Sequence, residues 1–255
     1  MVVMENKPAG DVLHTSSSTR TTRFAALCGT ATDYHAVSHP SLPNYLALTS
    51  GSTHGVADDA GPSVHRISGS SVFSEVAAKG LSWATYAESM PAPCARYDAG
   101  RYAVKHNPAL YYLSLSAGCT AQDVPFGSPS GGAFADAVRS GRLPAFSFVV
   151  PNLCDDTHDC PVSVGDAWLG RVLDLVTESE VYASGRTALF VTWDEDDGSH
   201  GDRVGLVTIA PSVRPATTSA AAFSHLSLLR TVEDLLGLRT TLVPRAPSMR
   251  RAFGL

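Results

Sequence analysis

The segment 39–51, HPSLPNYLALTSG, holds the side chain best placed for nucleophilic chemistry, the hydroxyl of Ser41. Ser41 precedes an apolar stretch, which predicts that it lies in the first turn of a helix with Tyr45 turned inward behind it. Unpaired N–H groups and a partial positive charge at a helix N-terminus suit a phosphate and favour an ionised serine. A serine in this position most often caps its helix, and this segment alone leaves that alternative open.

Two polar pairs, each with at least one carboxylate, follow apolar runs that are typical of buried strands. Glu5-Asn6 comes after residues 2–4, and Asp194-Glu195 comes after residues 187–193. In a parallel sheet both pairs leave the same edge, where ligands bind in α/β proteins. One such pair is typical of a solvated loop, but two pairs and Ser41 together predict a metal site with these ligands: Glu5, Asn6, Ser41, Asp194 and Glu195. Oxygen ligands favour a single Ca²⁺, Mg²⁺ or Mn²⁺ ion over Zn²⁺.

Histidines supply a second set of candidates. His106 lies in KHNP, His158 in CDDTHDC, and His225 opens the last predicted helix, while His39 belongs to the segment of Ser41. Histidines next to loop carboxylates serve as proton donors or phosphate ligands. Three acidic residues flank His158 and favour its protonated, anion-binding form: Asp155, Asp156 and Asp159.

Composition and charge exclude several classes of function. The 255 residues are 44% hydrophobic and 17% charged, with a net charge of -5. We expect no nucleic-acid partner, because no basic run is present to follow a phosphate backbone. We expect no transmembrane segment either, because no apolar stretch approaches the roughly 20 residues that span a bilayer.

The alternation of apolar runs and helical patterns predicts an α/β fold, with a mostly parallel sheet covered by helices on both faces. We expect a single domain over residues 1–255. Strands are predicted at residues 2–4, 81–87, 145–150, 187–192 and 203–210, and helices at 72–79, 166–181 and 224–236, with a helix and a short strand between 24 and 37. Polar residues 7–22 predict a surface loop, and residues 91–132, rich in Gly, Pro and Ser, predict a cap-like surface segment.

The five cysteines bear on the compartment. Cys94 and Cys119 flank one loop-rich stretch, and Cys154 and Cys160 flank a short polar loop, so we expect two disulfides and a secreted protein with a trimmed leader. A cytoplasmic protein is the alternative. Cys28 is predicted to be a buried free thiol. A rival interpretation, with a spacing that fits poorly, makes zinc ligands of Cys154, His158 and Cys160.

Several motifs together resemble a known family. These are MENK, HPSLPNYLALTSG, KHNP, NLCDDTHD, TWDE and SHLSLLRTVEDLLGL, which occur in family order over residues 2–238. The chain resembles the phosphoesterase family of bacterial acid phosphatases and phospholipases C, within the alkaline-phosphatase-like superfamily, and is most similar to its short secreted branch. After Glu5-Asn6-Lys7 the family usually has a Ser-Tyr or similar pair, where this chain has Pro8-Ala9.

The resemblance implies a role for each candidate. Ser41 matches the nucleophile, and the pairs Glu5-Asn6 and Asp194-Glu195 match the ligands of a divalent metal ion. His106 and His158 match catalytic, phosphate-facing histidines, and we expect Asn44 and Asp156 to contact the substrate as well. The roles of His225 and His39 are left open.

The favoured function is a metal-dependent phosphomonoesterase of the acid phosphatase type that forms a phosphoserine intermediate on Ser41. The substrate is expected to be a phosphorylated small molecule or a phospholipid head group. A phosphodiesterase or phospholipase C is the first alternative, for which five residues would form an apolar wall: Tyr102, Leu110, Tyr111, Tyr112 and Leu113. The others are a biosynthetic phosphatase acting on a soluble small-molecule phosphate and a non-catalytic protein that binds phosphate or metal.

Overall fold

The structure, a computed structural model, describes residues 1–239 and 241–255. Ten strands lie in these residues: β1 (Val2–Met4), β2 (Gly29–Ala31), β3 (Tyr34–His35), β4 (Trp83–Ala87), β5 (Asp123–Pro125), β6 (Phe146–Val150), β7 (Leu189–Trp193), β8 (Leu206–Ile209), β9 (Thr217–Ser219) and β10 (Phe223–Ser224).

The same residues contain ten α-helices: α1 (Ala9–Val12), α2 (Thr19–Leu27), α3 (Ser41–Ser50), α4 (Val72–Ala78), α5 (Cys119–Gln122), α6 (Ala133–Arg139), α7 (Val162–Thr177), α8 (Glu180–Ala183), α9 (His225–Leu236) and α10 (Arg250–Phe253). Three short 3₁₀ helices cover Val104–His106, Pro108–Tyr111 and Leu113–Leu115. No helix in the described ranges is both long and apolar enough to cross a membrane.

Within the described residues, eight of the strands form one sheet in the order β5-β4-β6-β1-β7-β8-β2-β9. All neighbours are parallel except at β8, which runs antiparallel to β7 and β2. The two remaining strands, β3 and β10, pair with each other in parallel. The predicted α/β fold with a mostly parallel sheet is therefore confirmed.

The position of β1 decides where the polar residues meet. It lies between β6 and β7 and pairs with both in parallel. The segments that follow these three neighbouring strands therefore leave the sheet at the same edge. They begin with Glu5 after β1, Pro151 after β6 and Asp194 after β7.

Helices pack on both faces of the sheet. Phe148 of β6 contacts Phe73 of α4 on one face. Val149 points to the other face, because strand side chains alternate, and its register partner Val2 shares that face with Met4. Met4 Cε lies against Gly165 of α7, which places α7 opposite α4.

Two predicted segments differ from the structure. Residues 7–22 are not wholly a surface loop, because α1 and the start of α2 lie there. Thr21 is buried, and its polar groups are satisfied there, because its N–H and its hydroxyl each donate to Asp166 of α7 at 2.7 Å. The helix predicted at 166–181 begins at Val162 and ends at Thr177, and a separate α8 follows it.

The segment 91–132 contributes more to the interior than its composition indicates. Its strand β5 joins the edge of the main sheet beside β4. Four of the five residues expected to form an apolar wall are buried in the core: Tyr102, Leu110, Tyr111 and Tyr112. That wall is therefore absent from the part of the chain that the structure describes, and the cap-like role of the segment stays a prediction.

Both predicted disulfides, Cys94–Cys119 and Cys154–Cys160, are formed, and Cys28 is a buried free thiol. The zinc interpretation of Cys154, His158 and Cys160 is wrong, because the two sulfurs are bonded to each other. The second disulfide closes the loop that follows β6 and carries Asp156.

Three hydrogen bonds tie this loop to the centre of the sheet. The Glu5 N–H donates to the Asp156 carbonyl, and the Thr157 hydroxyl donates to the Glu5 carbonyl, both at 2.8 Å. Trp193 Nε1 donates to the same hydroxyl at 3.3 Å. Thr157 has a φ of +81°, a strained conformation for a β-branched residue, and these contacts stabilise it.

Gly165 of α7 allows the helix to approach this loop closely. A Cβ at this position would lie 2.9 Å from the Asp155 carbonyl oxygen and would also collide with Thr157. We expect Gly165→Ala to lower the free energy of unfolding by about 1–3 kcal/mol, because neither the backbone nor the strained threonine can move freely. Thermal or urea unfolding measures this loss.

Gly10→Ala is the matched control for this substitution. Gly10 lies in α1, and a Cβ there would meet nothing within 4 Å. We expect this variant to be as stable as the wild type or slightly more stable, because alanine favours a helix over glycine. Equal stability of the two variants would contradict the close packing described for Gly165.

Candidate active site

Ser41 is the first residue of α3 and is almost fully buried. Its hydroxyl donates to Glu5 Oε2 at 3.1 Å. The residue before it, Pro40, takes the N-cap position, so the alternative in which Ser41 merely caps its helix is wrong. The predicted position of Ser41 at a helix N-terminus is confirmed.

Glu5 is the carboxylate around which the other groups gather. It is fully buried, and its Oε1 accepts a short hydrogen bond from the Tyr45 hydroxyl. His106 Nε2 lies 3.3 Å from Glu5 Oε2. The His106 ring stacks on Tyr45, with ring centroids 5.2 Å apart, so α3 positions both the serine and the neighbours of Glu5.

Asn6 connects Glu5 to the acidic pair after β7. Its N–H donates to Asp194 Oδ1 at 3.0 Å, and its amide donates to Glu195 Oε1 at 3.2 Å. The φ of Asn6 is +47°, in the left-handed region that asparagine adopts more readily than most residues. The structure thus brings the pairs Glu5-Asn6 and Asp194-Glu195 together.

Glu195 already has a partner for each carboxylate oxygen. Oε1 accepts from Asn6, and Oε2 accepts from Asn44 Nδ2 at 3.4 Å and lies 3.1 Å from His39 Nδ1. Asn44 itself holds the backbone before α3, because its Oδ1 accepts from the N–H groups of Val37 and Ser38. The direct contacts of Glu195 and Asn44 therefore orient other site residues, and their predicted roles as metal ligand and substrate contact stay predictions.

Asp156 closes the cluster from the loop after β6. Its Oδ2 lies 3.5 Å from His106 Nδ1, and the side chain is buried. Glu5, His106 and Asp156 each place one possible ligand atom within 4.8 Å of the others. The site thus contains an imidazole nitrogen among its carboxylates, which the predicted all-oxygen ligand set did not include.

Burial of these acids changes their protonation. Desolvation raises the pKa of Glu5 and of Asp156, and repulsion from Asp194 raises both further. Burial raises the pKa of Asp194 to about 6 and, together with the neighbouring Asp194 charge, that of Glu195 to about 8. Burial and the nearby Lys105 and His158 lower the pKa of His106 well below its usual value, so its imidazole is neutral at pH 7.

These residues fit a divalent cation. Four buried atoms that face the cluster have no hydrogen-bond partner among the described residues: Asn6 Oδ1, His106 Nε2, Asp156 Oδ2 and Asp194 Oδ2. Buried polar atoms are rarely left in this state, and carboxylate and amide oxygens with a neutral imidazole are suitable ligands for divalent metals. A bound cation would also relieve the repulsion between the acids.

His158 lies at the outer side of this cluster. Its ring centroid is 6.1 Å from that of His106, and its side chain is 31% exposed. Nδ1 lies 2.6 Å from Asp159 Oδ1, and the His158 N–H donates to Asp156 Oδ1 at 2.8 Å. Because Nδ1 faces Asp159, Nε2 is the nitrogen left to contact a substrate.

His225 and His39 have different positions. His225 is fully buried, and its Nε2 lies 2.6 Å from the Asp194 carbonyl while its Nδ1 lies 3.0 Å from the Tyr34 hydroxyl. It therefore orients the backbone of Asp194 and stands behind the cluster. His39 Nε2 lies 2.5 Å from Asp202 Oδ1, so this histidine joins Glu195 to the acidic loop that follows it.

A salt bridge lies beside Ser41. Asp59 Oδ1 accepts from the N–H of Leu42, the second residue of α3, at 3.0 Å. Asp59 Oδ2 accepts from Lys105 Nζ at 2.8 Å. Sequence reasoning had not assigned either of these two residues, nor the hydroxyl of Tyr45, to the site. The position of Lys105 directly before His106 in KHNP is the one feature of the sequence that points to a role for Lys105 in the site.

Comparison with known proteins identifies the family of this chain. The profile described as "Phosphoesterase family" matches residues 19–239. The chain is 34% identical over 256 residues to the phosphatidylinositol-3-phosphatase of Mycobacterium tuberculosis, with 100% of this chain and 82% of that protein aligned. The chain belongs to the phosphoesterase family. It is therefore a phosphoric ester hydrolase.

Other relatives are larger than this phosphoesterase. The chain is 29% identical over 219 residues to the phosphate-repressible acid phosphatase of Penicillium chrysogenum. This alignment covers 81% of this chain and 52% of that protein. It thus spans about half the length of that relative. A solved structure of a protein in the alkaline phosphatase superfamily from Vibrio parahaemolyticus matches with a TM-score of 0.63 at 11% identity, over 93% of this chain and 65% of that one. At this identity the likeness shows the fold.

A divalent metal ion should stabilise this phosphoesterase. We expect Mn²⁺, Mg²⁺ or Ca²⁺ at a hundredfold above its Kd to raise the Tm by about 5–10 °C over the value in EDTA. Asp194→Asn should abolish most of this shift, because it removes a buried carboxylate that faces the cluster. Thermal unfolding monitored by circular dichroism measures both values.

Asp197→Asn is the control for the metal shift. Asp197 lies three residues further along the chain, is exposed, and contacts Ser199 and His200 on the same loop. The metal-dependent shift should persist in this variant. A shift that disappears in Asp197→Asn but survives in Asp194→Asn would place the cation in the loop instead.

Proposed function

We propose that this phosphoesterase is a metal-dependent phosphomonoesterase in which Ser41 is the nucleophile. The observation that carries this proposal is the hydrogen bond from the Ser41 hydroxyl to buried Glu5, beside atoms suited to a divalent cation. An activatable hydroxyl in this setting has no use in a protein that only binds phosphate. The residues proposed to hold the cation are Glu5, Asn6, His106, Asp156 and Asp194.

The proposed reaction has two steps. Ser41 Oγ, having released its proton to solvent, attacks phosphorus and forms a phosphoserine as the bond to the leaving oxygen breaks and that oxygen takes a proton from His158. Water then attacks the phosphoserine and passes a proton to His158, so that inorganic phosphate leaves and the serine oxygen takes up a proton from solvent. A bound divalent cation would favour ionisation of the serine and offset the negative charge of the phosphoryl oxygens. Glu5 orients the Ser41 oxygen throughout, and Tyr45 holds Glu5 in place.

His158 is the proposed proton donor to the leaving oxygen. It lies at the outer side of the cluster, its Nδ1 faces Asp159, and its Nε2 is therefore directed away from that carboxylate. His106 is less suited to this role, because burial and neighbouring positive charge keep its imidazole neutral. Proton donation to a leaving group typically contributes a factor of about 100 to 10,000 in rate.

The substrate is proposed to be a monoester, either of a small molecule or of a phospholipid head group. A relative named as a phosphatidylinositol-3-phosphatase, aligned over the whole chain, supports the second possibility. A diester would need additional contacts for its second ester group, and the aromatic residues expected to supply them pack in the core. The two disulfides support a secreted protein.

Hydrolysis of p-nitrophenyl phosphate and of bis-p-nitrophenyl phosphate, with and without EDTA, tests this function. We expect turnover of the monoester, little turnover of the diester and a loss of activity in EDTA. Ser41→Ala should lower kcat by at least about a thousandfold, because a preorganised group that forms the covalent intermediate is removed. Trapping the phosphoserine at low pH and locating it by mass spectrometry identifies the nucleophile directly.

Ser163→Ala is the matched control. Ser163 lies in the first turn of α7 and is exposed, so its substitution changes the same atoms at a helix start outside the site. Its activity should equal that of the wild type. Ser41→Ala protein that is folded yet keeps most of its activity would contradict the proposed nucleophile, and faster hydrolysis of the diester would favour a phospholipase C type of reaction.

A further inference from the structure

The N-terminus of α3 offers fewer hydrogen bonds to a phosphoryl group than a helix start normally does. The N–H of Leu42 already donates to Asp59. Pro43, the next residue, has no N–H at all. Two of the first three backbone positions of α3 are therefore unable to bind a phosphoryl oxygen, and part of the compensating positive charge has to come from side chains.

Lys105 is positioned to supply that charge. It directly precedes His106, and its Nζ lies 2.8 Å from Asp59 Oδ2, which is anchored to the second residue of the nucleophile helix. The Lys105 side chain is mostly buried, being 21% exposed. A lysine ammonium has three N–H donors, so one bond to Asp59 leaves two for another acceptor.

The field of Lys105 reaches the whole carboxylate cluster. Its charge acts to lower the pKa of Glu5, Asp156 and Glu195, although burial outweighs it at each of them. The salt bridge to Asp59, with Nζ and Oδ2 2.8 Å apart, holds the Lys105 side chain as an ammonium ion. Lys7, also close to the site, donates to the Asn6 carbonyl instead.

We infer that Lys105 binds a phosphoryl oxygen of the substrate and that Asp59 is its positioning residue, an inference that rests on the proposed function. One oxygen of Asp59 is fixed by α3 and the other by the lysine, so the ammonium is held at a set distance from the helix that carries Ser41. The ligand class is a phosphate monoester dianion or inorganic phosphate. Lys105 is thus assigned to phosphate binding alongside the proposed metal ion.

Isothermal titration of the manganese-loaded protein with inorganic phosphate tests the role of Lys105. We expect Lys105→Met to weaken phosphate binding by about tenfold to a hundredfold, which is typical for loss of a charge-assisted hydrogen bond. Lys105→Arg should recover part of the affinity, because the charge remains. Lys79→Met is the control, since Lys79 follows α4 and contacts the Leu236 and Gly237 carbonyls at the end of α9, away from the site.

A double-mutant cycle tests the role of Asp59. Asp59→Asn should weaken phosphate binding by about threefold to tenfold, and Asp59→Asn with Lys105→Met should bind no more weakly than Lys105→Met alone, because Asp59 acts through the lysine. A merely structural effect of Asp59 on α3 would instead add to that of Lys105→Met. Additive losses, or tighter binding in Asp59→Asn, would contradict the positioning role.

The titration requires no turnover, so the two proposals fail separately. Phosphate affinity within twofold of the wild type in folded Lys105→Met would overturn this inference, as would wild-type protein that binds no phosphate. Protein that binds phosphate through Lys105 but hydrolyses neither nitrophenyl ester would contradict the proposed function and leave the inference supported.

Discussion

Repulsion between buried carboxylates is the constraint on which the site depends. Glu5, Asp156 and Asp194 converge because β1 pairs in parallel with both β6 and β7 and all three strands end at one edge. Charged acids away from water are costly unless a proton or a cation accompanies them. The fold therefore creates a site that favours a bound positive charge. Ser41 lies next to this site, because its hydroxyl donates to Glu5.

The sheet and the residues that follow its strands were predictable because their signals are local. The apolar runs at 145–150 and 187–192 correspond to Phe146–Val150 and Leu189–Trp193. Because the carboxyl ends of parallel strands lie at one edge of a sheet, the polar residues that follow these strands are predicted to meet there. Ser224 and Gly237 likewise bound α9 where cap preferences place them.

Partners that are distant in the sequence could not be found in this way. Helical periodicity predicts that Tyr45 is buried but gives no sign that its hydroxyl meets Glu5, 40 residues earlier. Asp59 lies in a polar segment that is typical of a solvated loop. Its contact with the N–H of Leu42 forms only in the folded chain. The prediction of a surface loop at 7–22 was wrong in part for the same reason. Asp166 accepts hydrogen bonds from the N–H and the hydroxyl of Thr21 and so allows this polar residue to be buried.

The central position of β1 has a consequence for how the chain folds while it is being synthesised. Residues 2–4 are synthesised well before their two neighbours in the sheet, residues 146–150 and 189–193. A nascent chain that ends before residue 189 can pair only one edge of β1 and carries neither Asp194 nor Glu195. Contacts over such separations are slow to form, and unpaired apolar strands are prone to aggregate meanwhile. The carboxylate cluster therefore cannot be complete before synthesis has passed Asp194.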